Sequence, residues 1–141
     1  IINDWNFYLL NTAVKGMARG FLTEENLKSV KEFVSNTNTP IGFIFHHPPI
    51  EPGGWLNRRL LENRDDFNSI IYNYPNVKLV LFGHIHYHLK HTINHVIYSS
   101  ATAIGYAFDK ELPKFKIADG KEGFSVIEIS ENDITIENIL I

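Results

Sequence analysis

A chain of 141 residues, 44% apolar and 21% charged, has the size and balance of one globular domain able to bury a sizeable core. Its net charge of -3, with Lys and Arg scattered, excludes the cationic stripe that nucleic-acid binding requires. No apolar run approaches the roughly 20 residues of a membrane-spanning helix. There are no cysteines, which excludes disulfides and thiolate metal sites and agrees with a reducing, cytoplasmic setting. Residue 1 is Ile1 rather than methionine, so the sequence is expected to be a processed or truncated product, read here as a single domain over 1–141.

In chain order, "WNFYLLNT" (5–12) is an aromatic-rich apolar run bounded by polar residues and predicts a buried strand. The glycine-punctuated loop "VKGMARGF" follows. Thr23 is placed as the N-cap of a helix: Glu24 and Glu25 suit its positive end, and Leu27, Val30, Phe33 and Val34 recur at helical spacing as far as Asn36. "IGFIF" (41–45) predicts a second buried strand, ending in the Pro/Gly-rich loop "HHPPIEPGGW" (46–55). Asn63 is expected to cap a second helix with Phe67, Ile70 and Ile71 on its inner face, and "VKLVLF" (77–82) predicts a third strand.

Strand, helix, strand, helix, strand with short connections predicts crossover units and a parallel sheet. Beyond it, "VIYSSAT" (96–102), "GFSVIEIS" (123–130) and "DITIENILI" (133–141) predict strands without intervening helices, the last two joined as a hairpin by the tight turn "SEND".

Two histidine clusters fall at the carboxyl ends of buried strands, where ligands bind in open α/β sheets: His46-His47 after "IGFIF", and Gly83-His84-Ile85-His86 after "VKLVLF". Glycine permits a sharp exit from the strand, and alternate residues of extended backbone point the same way, which would bring His84 and His86 together. The prolines after His47 stiffen the loop presenting His46. One Gly-led and one Pro-led histidine cluster at two strand ends point to metal, with His46, His84 and His86 as ligands. His88, His91 and His95 lie beyond the turn and are read instead as an edge strand with imidazoles facing water. Arg58 and Arg59 follow "PGGW"; a solvated loop is the default for them, with a phosphate contact the alternative. The hydroxyls of "SSATAIGY" (99–106) are read as packing, with a substrate rim as the alternative.

"FHHPP" followed by "FGHIH" resembles the last two metal motifs of the calcineurin-like metallophosphoesterases. "GFLTEENLKSVKEF" and "GGWLNRRLLEN" resemble that superfamily's class III cyclic-nucleotide phosphodiesterase branch, over residues 5 to 105. The resemblance implies an α/β fold, the carboxyl-terminal half of a four-layer α/β/β/α sandwich with a partly parallel sheet and antiparallel strands at the end. It also implies two divalent metal ions (Mn, Fe, Zn or Ni) that activate water to attack a phosphodiester, 3',5'-cyclic nucleotides being the branch's substrates. His46 and His84 would share one ion, His86 would hold the other, and His47 would lie near substrate.

The superfamily's earlier motifs, Asp-x-His, Gly-Asp and Gly-Asn-His-[Asp/Glu], are not found in this sequence, and Asn94-His95 lacks the glycine and comes in the wrong order. The bridging carboxylate and asparagine ligand are therefore missing, and no catalytic residue can be named. Three neutral imidazoles hold one divalent ion weakly but do not neutralise a pair. Two readings follow: a piece of a dimetal phosphodiesterase, itself inactive, or a stand-alone metal-binding or interaction module. An open apolar sheet edge, expected of half a sheet, favours the first and predicts self-association.

Overall fold

Apolar runs bounded by turn residues become the strands β1 (Asn6–Leu9), β2 (Ile41–Phe45), β3 (Val77–Phe82), β4 (Leu89–Ile93) and β5 (Val96–Ser100) of one sheet, in the order β1-β2-β3-β5-β4. The structure is a computed structural model that describes residues 4–111, 113–130 and 133–141. Strands β1, β2, β3 and β5 run parallel, and β4 returns antiparallel on β5. The connections from β1 to β2 and from β2 to β3 carry the helices α1 (Glu24–Asn36) and α2 (Arg64–Ile71), as the crossover pattern predicts. A separate antiparallel pair, β6 (Gly123–Ile129) and β7 (Ile134–Leu140), follows. The turn expected at "SEND" includes 131–132, which lie outside the described residues.

Thr23 caps α1 as its sequence suggests, accepting from the Asn26 amide at 3.1 Å, while the Asn26 side chain accepts from the Thr23 amide at 3.1 Å. Asn63 occupies the N-cap position of α2 but makes no capping bond. Its amide instead grips Leu22, accepting from the Leu22 N–H at 3.0 Å and donating to the Leu22 carbonyl at 2.8 Å. That pair of hydrogen bonds ties the loop after β1 to the loop after β2, where Gly20 bridges Leu61. Both loops stand at the same end of the sheet.

One sheet face is sealed. Phe43 packs edge-on against Phe33 of α1 and Phe67 of α2, with Ile41, Val80, Phe82 and Tyr98 in the same buried cluster. Tyr98 donates to Asn68 on α2 at 2.8 Å, and burial raises its phenol far above the ordinary range. The other face is covered only in part: Ser125 and Ile127 of β6 share a cavity with Leu81 and Ser99, whereas Leu9 and Ile44, paired on β1 and β2, stay exposed. The expected strand over 96–102 ends at Ser100; Ser100 donates to the Tyr87 carbonyl and Thr102 to Asn138, so these hydroxyls pack inside the protein.

The two sheet edges differ in chemistry. β4 carries Lys90 and His91 towards solvent, the kind of charged edge that discourages pairing. β1 carries Asn6, Phe7, Tyr8 and Leu9, with no charge and no proline, and Leu9 is 72% exposed. An uncharged edge invites a further strand. Light scattering at tens of micromolar is expected to give a dimer or larger species, reduced by Tyr8→Lys or Leu9→Lys; a clean monomer would contradict the expectation.

Candidate metal centre

The histidine clusters meet because β2 and β3 are adjacent, parallel and level. Phe45 pairs with Phe82, so His46 and Gly83 leave the sheet side by side, and the Gly83 amide donates to the His46 carbonyl at 3.1 Å. His46 Nε2 and His84 Nδ1, 38 residues apart in sequence, then lie 3.0 Å apart. One nitrogen donates this bond and the other accepts it. With His47 the two rings form a triangle whose centroids are 4.9 to 5.0 Å apart, and one nitrogen from each lies within 4.8 Å of the others.

Each ring is held differently. His47, 4% exposed, has its Nδ1 2.8 Å from the Thr12 hydroxyl, which also accepts the His47 backbone N–H at 3.4 Å. A Cβ on Gly20 would lie 2.5 Å from the His47 ring, so only glycine lets the backbone cover that face. The loop itself is pinned by Asn68, donating to the Pro49 carbonyl, and by Tyr87, donating to the Pro52 carbonyl, both at 2.8 Å. Burial pushes the Tyr87 phenol up to about 12, keeping it a donor.

His86 lies outside the group of three. Its Nδ1 is 3.0 Å from the Tyr106 carbonyl, which can only accept, so Nδ1 carries the proton and Nε2 keeps a free lone pair. Its ring stacks on Phe108 at 4.5 Å and 9°. The same logic assigns structural roles to His88, which donates to the Ser100 carbonyl, and to His95, which donates to the Tyr74 carbonyl; His91 stands exposed on the edge strand.

The turn presenting His84 and His86 is not built as its glycine suggests. Gly83 does not take a positive φ; His84 and His86 themselves do, at 69° and 53°. Extended alternation is therefore broken at both residues, and the two rings part: His84 joins His46 and His47, and His86 lies on Phe108. Such left-handed conformations are unfavourable for a residue with a Cβ by roughly 1–2 kcal/mol each and are typical of sites that must aim a side chain.

Burial and mutual repulsion also set the charge. Desolvation first, and the neighbouring imidazoles second, lower His46 and hold both His47 and His84 down to about 4. At neutral pH the cluster is thus uncharged and rich in lone pairs, the state that binds a divalent cation. Imidazole ligation suits Zn, Fe or Ni, so the donor set fits one such ion. Among the described residues this group contains no carboxylate, so nothing in it bridges or neutralises a second ion.

Thr12, Gly20 and Tyr106 are site residues to which the sequence alone gave no part at the metal centre, although Gly20 opens "GFLTEENLKSVKEF" and Tyr106 closes "SSATAIGY". A lone glycine before the Leu22-Thr23 helix start was the faint signal for Gly20, but contacts made through a hydroxyl or a carbonyl leave no pattern.

A partly parallel sheet thus carries the His-His-Pro and Gly-His-x-His motifs at adjacent strand tips. The chain is similar to proteins named as cyclic-nucleotide phosphodiesterases and aligns with part of their length. It is 33% identical over 128 residues to a 3',5'-cyclic-nucleotide phosphodiesterase of Nostoc sp., covering 89% of this chain and 48% of the relative. A probable cyclic nucleotide phosphodiesterase of Coxiella burnetii is 36% identical over 114 residues, 77% of this chain and 44% of the relative. The 3',5'-cyclic adenosine monophosphate phosphodiesterase CpdA of Escherichia coli is 30% identical over 88 residues, 61% of this chain and 32% of the relative. The chain therefore spans about half, or less, of the relatives it matches. A dimetal phosphatase from Danio rerio shares the fold, with TM-score 0.61 at 15% identity over 84% of this chain and 36% of that one. No protein-family profile matches the chain.

Two outcomes follow from the geometry. His47 and His84 protonate near 6.5 when unfolded and near 4 when folded. The unfolded chain thus binds more protons between those values, and stability of the metal-free protein is full above about pH 6.5 and falls as pH drops towards 4. Urea midpoints at pH 7.5 and 5.0 measure it, His47→Gln reducing the loss; a midpoint that stays level or rises would contradict the assignment. Second, His84→Gly and His84→Ala remove the same imidazole but differ in strain. The glycine variant is expected to be the more stable by about 1 kcal/mol; equal stability would show that the left-handed turn is unstrained.

Proposed function

We propose that this chain is part of a dimetal phosphodiesterase, contributing the histidine half of its metal centre, with a small phosphodiester such as a 3',5'-cyclic nucleotide as substrate. The observation that carries this reading is the 3.0 Å approach of His46 Nε2 to His84 Nδ1 across two strand tips, in a chain related to enzymes named for that activity. In the proposed assignment His46 and His84 hold one divalent ion and His86, through its free Nε2, a second, the carboxylates being supplied by residues outside this chain. When bound, paired divalent ions lower the pKa of water and neutralise phosphoryl charge.

The chain's own side chains would do the rest. His47, kept neutral by burial and held by Thr12, directs its remaining nitrogen towards substrate. Arg59 lines the same cavity as His84 and His86, an exposed guanidinium suited to bidentate contact with a phosphate. The Tyr106 carbonyl fixes the tautomer of His86. Domain 1–141 is accordingly read as the carboxyl-terminal part of a phosphoesterase domain, inactive by itself.

Calorimetry with the zinc-loaded chain tests the phosphate site, and manganese with bis(p-nitrophenyl) phosphate tests catalysis. Inorganic phosphate is expected to bind the loaded chain, about tenfold more weakly in Arg59→Ala, as loss of a hydrogen bond to a charged group implies. Turnover by the 141-residue chain is expected to stay at background. No phosphate binding would count against the phosphoesterase, and turnover that disappears in His84→Ala would show the missing carboxylates to be unnecessary.

A further inference from the structure

Next to His84 and His86 lies a cavity of about 320 Å3, lined also by Trp55, Arg59, Tyr106 and Phe108, a size within the range of small-molecule sites. Its aromatic residues form a connected set outside the buried core. Trp55 meets Phe108 at 5.3 Å and 66°, Tyr106 meets Phe108 at 5.5 Å and 57°, and Phe115 closes on both Trp55 and Phe108 at 5.8 and 5.2 Å. Tyr106 is 43% exposed and Phe115 59%. A concave cluster of large, partly wet aromatic rings marks a binding surface, since solitary exposed rings need no such arrangement.

The cluster adjoins the imidazoles. His86 stacks on one face of Phe108 and lies 4.7 Å from the Tyr106 ring, so a group seated among the rings is about one ring-width from that imidazole. Since His86 already covers one Phe108 face, a ligand rests on Trp55, Tyr106 and the Phe108 surface that still lines the cavity. An aromatic box takes either a flat ring, by stacking, or a quaternary ammonium, by cation–π attraction. Arg59 on the same wall repels the cation and leaves the flat ring.

We propose that Trp55, Tyr106 and Phe108 form a subsite that seats a flat, uncharged aromatic ring carried on one ester arm of the substrate. The identity of the phosphate end rests on the phosphoesterase reading above; the ring subsite stands on the aromatic geometry alone. It would make the enzyme favour phosphodiesters bearing a nucleobase or aryl group over alkyl ones.

Four probes separate the claims: adenosine, ribose 5-phosphate, adenosine 5'-monophosphate and phosphocholine, titrated by calorimetry into the 141-residue chain with and without zinc. Adenosine is expected to bind at millimolar concentration without metal and to quench Trp55 emission, Trp5 serving as the buried reference. With zinc, the nucleotide is expected to bind at least about tenfold tighter than ribose 5-phosphate, the size of one stacking contact. Tyr106→Ala should erase most of that ratio and Tyr106→Phe should keep it. Equal affinity for nucleotide and ribose 5-phosphate, with no adenosine binding, would overturn the subsite while leaving a zinc-dependent phosphate site intact. Adenosine binding without any zinc-dependent ribose 5-phosphate binding would keep the subsite and count against the phosphoesterase. Phosphocholine binding as tightly as the nucleotide would overturn the flat-ring assignment in favour of a cation.

Discussion

Two parallel strands that end level are the constraint on which the site depends. Because Phe45 stands opposite Phe82, the next residues out are His46 and Gly83, and the following imidazole can reach across to within hydrogen-bond distance. A slip of one residue in this register would turn the tips to opposite faces. What prevents the slip is the sealed face of the sheet: Phe43 wedged between Phe33 and Phe67, with Val80 and Phe82 continuing the same apolar surface. Core packing and metal geometry are thus one problem, solved by one alternation of side chains.

The cluster stores unfavourable terms that the core must offset. Two histidines sit in left-handed backbone, and three imidazoles crowd together at reduced basicity. None of this helps an ion-free protein. All of it suits cation binding, because the imidazoles are neutral and already aimed, so binding requires only that the donor ring of the His46–His84 bond shift its proton to its other nitrogen. The surrounding shell follows the same logic: the Thr12 hydroxyl, the Tyr106 carbonyl and the bare Cα of Gly20 each fix one ring without adding charge.

Much of the fold was legible in the sequence because periodicity is a local signal. "IGFIF" and "VKLVLF" were delimited to the residue, and Thr23 announced its helix through a cap that the structure contains. Asn63 marked the right helix start for a different reason: its amide is recruited by Leu22 across 41 residues, a tertiary bond no local rule contains. In the Gly-His-x-His turn the glycine drew attention to the right place, yet the left-handed residues are the histidines. Alternation predicted His84 and His86 as neighbours; the structure groups His84 with His46 and His47, and rests His86 on Phe108. The aromatic box leaves no local pattern because Trp55 is some fifty residues from the 106–115 segment that carries Tyr106, Phe108 and Phe115, and only the folded loops unite them.

The central claim is that His46 and His84 jointly grip one divalent ion. Equilibrium dialysis of zinc against the chain and its His46→Ala, His84→Ala and His91→Ala variants measures it most directly. The account predicts one bound ion per chain, lost in the first two variants and retained in His91→Ala. Zinc retained after removal of His46 or His84, or released on removal of the edge-strand His91, would contradict it.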